Sequence, residues 1–209
     1  HLPAMRTRLA ASLGKLRSLY PEARLPPVTL AIGRGKPVGV ANADGVMIGL
    51  EALCAADFMV ADPEDRFVHV IAHEYVHVQQ AAAGSDQDKG MTVLHAALIE
   101  GGAEFIGELM SGAVSYQHLT RITKGHEAAF EAGFADDLDK PAEGSRWLYD
   151  GRGTAERPGD LGYWIGYRIA KAYYARAADK RAAVREIIVL RDPKVLLAQS
   201  GWQPGIRLD

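Results

Sequence analysis

The chain has 209 residues, 48% of them hydrophobic and 24% charged, a balance that predicts a folded globular protein and excludes a disordered one. Lys and Arg total 24 against 26 Asp and Glu, and the net charge of −2 gives no electrostatic argument for nucleic acid or an anionic membrane as a partner. The single cysteine, Cys54, excludes an internal disulfide framework. The sequence contains no run of about 18 apolar residues, so no membrane span is predicted.

The first 50 residues predict one helix and two strands. Leucines at three- and four-residue steps predict an amphipathic helix over residues 4–20. Short runs rich in β-branched residues predict strands over 28–32 and 46–50. Two strands alone are marginally stable, so we expect this sheet to pack on helices. Between the strands lie residues typical of a loop, namely Gly35, Pro37 and Gly39.

A long helix is predicted after the second strand. Asp62 is a suitable N-cap, Pro63 suits the first helical position, and Gly84 is a suitable stop. The helix between them would have about 20 residues, which is within the ordinary range. Apolar side chains nearly surround it, so we expect it to be central and buried.

The second half of the chain is predicted to be helical, with loops between the helices. Thr92 caps a helix that runs to about residue 110, and Gly101 and Gly102 within it predict a close approach to another helix, which we expect to be the preceding long helix. Residues 140–159 predict a long loop of the kind that often carries function. Asp160 and Asp192 are predicted N-caps, and the remaining helices are expected over residues 117–134, 161–178, 180–190 and 192–199.

The long helix contains the pattern His73-Glu74-Tyr75-Val76-His77. Helix positions i and i+4 share one face, so His73 and His77 can point two imidazoles at a single metal ion. Glu74 lies about 100° further round the helix and can serve as general base to a water at that metal. Zinc suits imidazole and carboxylate ligands. For the motif alone, a chance pair of histidines on a helix is the alternative.

A catalytic zinc site needs a third protein ligand, and Glu100 and Glu104 are the candidates. Both lie on the helix after the long one, four positions apart and therefore on one face. The 22 residues between His77 and Glu100 are enough for a loop and a return as an antiparallel neighbour. If Glu100 binds the metal, Glu104 is placed to hydrogen-bond a ligand imidazole. Surface carboxylates are the alternative for both.

The segments H-E-Y-V-H and I-E-G-G-A-E-F together resemble the gluzincin metallopeptidases. The resemblance implies that His73 and His77 are zinc ligands, that Glu74 is the catalytic base and that Glu100 is the third ligand. The order of motifs over residues 28 to about 178 is similar to that of a group of predicted bacterial zinc-dependent proteases without an assigned function. The two metal motifs are the specific part of this resemblance.

A helix near the C-terminus carries candidates for stabilising the oxyanion that forms when water attacks an amide. Tyr163 and Tyr167 share a face of that helix, and Tyr163, Tyr167 or Arg168 can serve as the donor. Core packing or a place in the substrate-pocket wall is the alternative for the aromatic residues. Of the histidines outside the motif, His69 is interpreted as structural. The ordinary histidines are His95, His118 and His126, and His126 is also a candidate for lining the cleft.

These observations predict an α+β, mainly helical zincin-like fold in which a small N-terminal sheet packs on the HExxH helix. We expect a single domain over 1–209, with the sheet and metal helix in 1–90 and the third ligand in 91–209. The predicted function is zinc-dependent hydrolysis of peptide bonds. The strand at 46–50 is a candidate edge for an extended peptide.

Two alternatives of other classes remain open. One is a peptide-binding module that keeps zinc for structure only, against which the intact Glu74 argues. The other is a zinc amidase acting on a substrate that is not a peptide. The expected partner is a peptide or protein substrate. A signal peptide removed before His1 would put the protein in the periplasm or outside the cell, and without such processing it would be cytoplasmic.

Overall fold

The computed structural model describes residues 2–32, 35, 37–86, 90–154 and 158–208. The fold is α+β and mainly helical, with a small sheet near the N-terminus, as predicted. None of the helices in these ranges is both long and apolar enough to cross a membrane. In chain order, the elements are α1 (Leu2–Leu19), β1 (Val28–Ala31), β2 (Gly39–Asn42), β3 (Gly45–Gly49), α2 (Leu50–Ala55), α3 (Pro63–Ala83), α4 (Val93–Ser111), α5 (Gln117–Thr123), α6 (Glu127–Ala135), α7 (Leu161–Arg176), α8 (Lys180–Val189) and α9 (Pro193–Ser200).

Helix α3 begins and ends where the sequence predicts. The Asp62 carboxylate accepts hydrogen bonds from the backbone N–H groups of Glu64 and Asp65, both at 2.9 Å, and Pro63 follows at the first helical position. Gly84 ends the helix in the left-handed conformation, with a φ of 77°. Most side chains from Val68 onward are buried, so α3 is the central helix that its apolar circumference predicts.

The sheet has three strands in the order β1-β3-β2, with β3 parallel to β1 and antiparallel to β2. β3 is paired on both sides, so the prediction that residues 46–50 offer a free edge is wrong. Pro37 and Gly39 are residues typical of a loop, so the sequence pattern predicted a loop where β2 lies. The outer edge of β2 pairs with no other strand in the described part of the chain, so β2 is the open edge on that side.

Helices α4 and α7 cross at two glycines. A Cβ built on Gly101 would lie 2.0 Å from the Tyr167 backbone nitrogen, and one built on Gly166 would lie 1.8 Å from the Ala97 carbonyl oxygen. The expectation that Gly101 approaches the long helix is therefore wrong, because its partner is α7. On the side of α4 that faces α3, a Cβ on Gly107 would lie 3.5 Å from the backbone nitrogen of His73, an ordinary van der Waals distance. The crossing fixes α4, which carries both candidate glutamates, between α3 and α7.

Two glycine-to-alanine substitutions, one at the crossing and one away from it, should have opposite effects on the free energy of unfolding. Gly166→Ala should destabilise the protein by about 1–3 kcal/mol or more, because the new methyl group meets backbone that must move. Gly14→Ala in α1 is the matched control: no atom lies within 4 Å of its Cβ position, so it should stabilise by about 0.5–1 kcal/mol. Urea unfolding followed by circular dichroism measures both, and a Gly166→Ala protein as stable as wild type would contradict this packing.

Two predictions for the second half need correction. Residues 117–134 do not form one helix, because α5 and α6 are separated at residues 124–126, where Gly125 has a φ of 86°. Asp160 precedes α7, but its side chain caps no helix N–H and its backbone is left-handed, with a φ of 55°. Its carboxylate instead accepts a hydrogen bond from Asp150 N at 2.8 Å, which ties the loop over 140–159 to the start of α7. The predicted cap at Asp192 is confirmed.

Candidate metal centre

Three side chains from α3 and α4 converge in the core of the protein. His73 and His77 lie one turn apart on α3, with their Nε2 atoms 2.9 Å from each other. Glu100 on α4 places its Oε2 atom 3.1 Å from His77 Nε2 and 3.6 Å from His73 Nε2. The three ligand atoms all lie within 4.8 Å of one another. The sequence prediction that these three residues share one site agrees with this geometry.

Gln80, which the sequence analysis did not single out, determines the tautomer of His77. Its side-chain nitrogen donates a hydrogen bond to the Ile99 carbonyl oxygen at 2.9 Å, so its oxygen is the atom that faces His77 Nδ1 at 2.6 Å. Nδ1 of His77 must therefore carry the hydrogen, because only an N–H can donate to that oxygen. The Nε2 atom of neutral His77 is then a bare acceptor directed toward His73.

Glu104 anchors the other histidine. Its Oε1 atom lies 2.7 Å from His73 Nδ1, while its Oε2 atom accepts hydrogen bonds from the backbone N–H groups of Ser115 and Tyr116 at 2.8 and 3.1 Å. The Ser115 hydroxyl also donates to the same carboxylate. Glu104 thus contacts the nitrogen of His73 that faces away from the cluster, which is the position predicted for a residue that orients a ligand imidazole.

The buried carboxylates around the two histidines favour positive charge at the cluster. Burial alone would lower the pKa of His73, but the carboxylates of Glu104 and Glu100 raise it to about 10. Burial alone would raise the pKa of Glu100, but the neighbouring His77 and His73 hold it well below its usual value. Two imidazole nitrogens and a carboxylate oxygen therefore face one another in a buried place where positive charge is strongly favoured.

The residues present fit a zinc ion. Ligand atoms about 2.0–2.1 Å from a tetrahedral zinc lie roughly 3.3 Å apart, and the distances of 2.9, 3.1 and 3.6 Å in the cluster bracket that value. Two imidazoles and one carboxylate form a donor set typical of catalytic zinc, and a protonated His73 would release its proton when the metal binds. Gln80 and Glu104 supply the outer contacts that fix the two rings.

Glu74 lies beside the cluster and is not part of it. Its carboxylate is buried against β2, where a Cβ on Gly39 would lie 2.4 Å from Glu74 Oε1, so a larger residue at that position would require the Glu74 side chain to shift. Burial raises the pKa of Glu74, although the nearby histidines His77 and His73 act against this rise. A carboxyl group with a raised pKa is a stronger proton acceptor than an exposed one.

The cluster opens into a cavity of about 460 Å³. Residues 37–41, which include most of β2, form one wall, and Tyr116, Tyr149 and Tyr163 form another. The ring of Tyr163 lies nearly parallel to that of His73, with centroids 6.3 Å apart, and stacks on Tyr116 at 4.5 Å. Burial and then Glu100 raise the pKa of Tyr163 well above its usual value, so its hydroxyl stays protonated.

The other two predicted oxyanion candidates lie elsewhere. The Tyr167 hydroxyl donates to Glu108 at 2.8 Å and the residue does not line the cavity. Arg168 contacts Glu131 at 2.6 Å and the Ile206 carbonyl oxygen at 2.5 Å, which ties α7 to α6 and the C-terminal segment. The sequence interpretation grouped Tyr163 and Tyr167 because they share one face of a helix. They lie one turn apart along that helix, and only Tyr163 lines the cavity.

Two tyrosines of the cavity wall were missed. Tyr116 lies in the link before α5, and Tyr149 belongs to the loop over 140–159, where its backbone has a φ of 64°. Desolvation of its hydroxyl and then the nearby Glu100 carboxylate raise the pKa of Tyr149. The one available signal was the apolar group of residues 147–149 inside an otherwise polar loop, which marks a loop that packs on something.

The remaining histidines lie outside the cluster. His69 Nδ1 contacts the Ser111 hydroxyl at 2.8 Å, and His95 Nε2 lies 3.0 Å from the Ser85 carbonyl oxygen. His126 precedes α6 and packs against Phe130 without lining the cavity. These contacts agree with the interpretation of His69 as structural and of His95 as an ordinary histidine, whereas His126 is not at the cleft.

Comparison with known families gives one finding that bears on this site. A family model described as "Predicted Zn-dependent protease (DUF2268)" matches residues 32–189, a range that includes His73, His77, Glu100 and Glu104 and the tyrosines of the cavity wall. Comparison with curated proteins and with solved structures gives no match. The family description agrees with the resemblance drawn from the motifs.

Proposed function

The chain belongs to the DUF2268 family of predicted Zn-dependent proteases, and from that premise we propose that it hydrolyses peptide bonds with a zinc ion held by His73, His77 and Glu100. One observation carries the proposal. Two imidazole nitrogens and one carboxylate meet in a cleft, with a second buried carboxylate, Glu74, beside them and outside the ligand set. A purely structural metal site has no use for that extra carboxylate.

The chemistry divides between the ion and the side chains. A bound zinc ion supplies a Lewis acid that polarises the scissile carbonyl and acidifies water. Glu74 takes the proton of the attacking water and passes it to the leaving amine. Tyr163, which stays protonated and lines the cavity, donates a hydrogen bond to the developing oxyanion. Glu104 holds the His73 ring in place through Nδ1.

The open edge of β2 suits an extended peptide. Residues 37–41 line the cavity next to Glu74, and the outer edge of β2 is unpaired within the described ranges. A peptide added to this edge gains main-chain hydrogen bonds and passes the ligand cluster. This favours a peptide over a small amide as the substrate, because a small amide would leave the strand edge unused.

Metal removal and a broad substrate set test the proposal together. Purified protein loaded with zinc should cleave members of a peptide library, and dialysis against a chelator should abolish cleavage until zinc is restored. Mass spectrometry of the digest identifies the cut bonds. Cleavage that survives complete zinc removal would contradict the proposal, and cleavage of non-peptide amides alone would favour the amidase.

A further inference from the structure

A second cavity, of about 520 Å³, lies next to the metal cleft and has no part in the chemistry proposed above. Its walls come from the segment after α2, from α5 and from the loop over 140–159. The side chains that matter for its chemistry are Asp57, Phe58, His118, Arg121 and Arg152.

The two cavities share a wall. Three short segments of chain, 58–59, 116–118 and 149–152, each contribute one residue to the metal cleft and another to the second cavity. Each segment therefore passes from one cavity to the other within four residues. A ligand that fills the metal cleft thus meets the rim of the second cavity at more than one point.

The distance between the cavities is short on the scale of a peptide. The ring of Tyr116 lies between them, with its centroid 6.4 Å from that of His73 and 5.7 Å from that of His118. An extended peptide advances about 3.3 Å per residue, so a side chain roughly two to four residues from the scissile bond reaches the second cavity.

The lining of the second cavity is positively charged. Arg121 and Arg152 both face it, and Asp57 is the one carboxylate among the described lining residues. Neither guanidinium has an ion pair with any residue in the described ranges, and Arg152 lies over the Phe58 ring at 5.8 Å. A planar guanidinium pairs best with a carboxylate, through two parallel hydrogen bonds.

His118 adds a buried group without a partner. The side chain is only 6% exposed, and neither ring nitrogen has a hydrogen-bond partner among the residues that the structure describes. Burial, followed by the charges of Arg121 and Arg152, lowers the pKa of His118 to about 4, so the ring is neutral and carries one N–H. A buried N–H without an acceptor is costly, and an acceptor in the cavity would relieve that cost.

We propose that the second cavity binds a carboxylate of the substrate peptide, with Arg121 and Arg152 pairing with it and His118 lining its polar wall. The carboxylate is that of an acidic side chain near the scissile bond or of the peptide C-terminus. The inference rests on the proposed function, because it assigns the substrate class of the same site. It makes the protein selective for peptides that carry negative charge at one fixed distance from the bond that is cut.

The test uses matched peptides. Ten-residue peptides of Ala, Ser and Leu carry a single Glu or Gln moved along the chain, and each is made with a free carboxylate or an amide at its C-terminus. Zinc-loaded wild type should cut the Glu form about tenfold faster than the Gln form at one position relative to the cut, or the acid form faster than the amide if the terminus is the ligand. Arg121→Gln/Arg152→Gln should bring that ratio near one, and each single variant should lower it.

The control removes equal charge elsewhere. Arg17→Gln/Arg181→Gln changes two exposed arginines that line neither cavity, and it should keep the wild-type ratio. Cleavage with no preference for Glu over Gln or for acid over amide would overturn the inference and leave hydrolysis standing. If no peptide is cut, the proposed function fails. The carboxylate pocket is then tested by binding: the same peptides carry a fluorescent label, and fluorescence polarisation measures their affinity for zinc-loaded Glu74→Gln. Tighter binding of the Glu or free-acid peptides that is lost when Arg121→Gln/Arg152→Gln is added supports the pocket. Equal binding of the charged and uncharged peptides overturns it.

Discussion

Glu74→Gln should retain zinc and the native fold while peptide hydrolysis falls by about 10²–10⁴-fold, the range for loss of a general base. Gln is nearly isosteric with Glu and fits the same space beside Gly39, but its amide cannot accept a proton from water. Because Glu74 is not among the ligand atoms that lie within 4.8 Å of one another, metal binding should survive. Turnover of a cleaved library peptide and zinc content by mass spectrometry give the two readouts.

The comparison must be made at equal zinc occupancy, because a metal-poor variant would imitate the loss of the base. A peptide cut equally well by wild type and by zinc-loaded Glu74→Gln would rule out this role for Glu74. Peptide bound tightly by both proteins and cut by neither would instead favour the zinc-containing binding module.

Removal of a ligand should abolish zinc binding and activity together. Wild type should hold about one zinc per chain, and His77→Ala or Glu100→Ala should lose it at metal concentrations that saturate wild type. Glu104→Gln should weaken zinc affinity by about 10–100-fold and keep measurable binding, because Glu104 contacts the ligand candidate His73 and is not itself in the ligand set. Competition with a chromophoric chelator measures the affinities.

His126→Ala is the matched control, since it removes an exposed histidine outside the cluster and should bind zinc as wild type does. Circular dichroism separates a lost ligand from a lost fold. If Glu104→Gln stripped the metal and Glu100→Ala kept it, the two glutamates would have to exchange roles.

The sequence predicted those features of the site that depend on local spacing. The caps of α3 and the i, i+4 pair of His73 and His77 are properties of a single helix, so they can be read from adjacent residues. The arrival of Glu100 at the same point required only that α4 return beside α3. Fold class was predictable for the same reason, because the helical periodicity is strong and the sheet is small.

Features that depend on contacts between distant segments were missed. β2 contains Gly39 because Glu74 occupies the space of a side chain there, and a glycine needed for packing looks the same in a sequence as a glycine in a loop. Gly101 was assigned to the wrong neighbour, since a mid-helix glycine indicates a close approach without identifying the partner. Tyr149 reaches Glu100 through a loop whose path no periodic pattern encodes.

The distribution of the ligands over two helices has a thermodynamic consequence. An unfolded chain does not hold His73, His77 and Glu100 together, so the free energy of zinc binding adds to the free energy of unfolding of the native state. Zinc at 100 times its dissociation constant would contribute about 2.7 kcal/mol. A bound ion would act as a cross-link between α3 and α4 whose strength depends on the zinc available in the surroundings. Zinc depletion would therefore stop the proposed hydrolysis and, at the same time, make the protein easier to unfold and degrade.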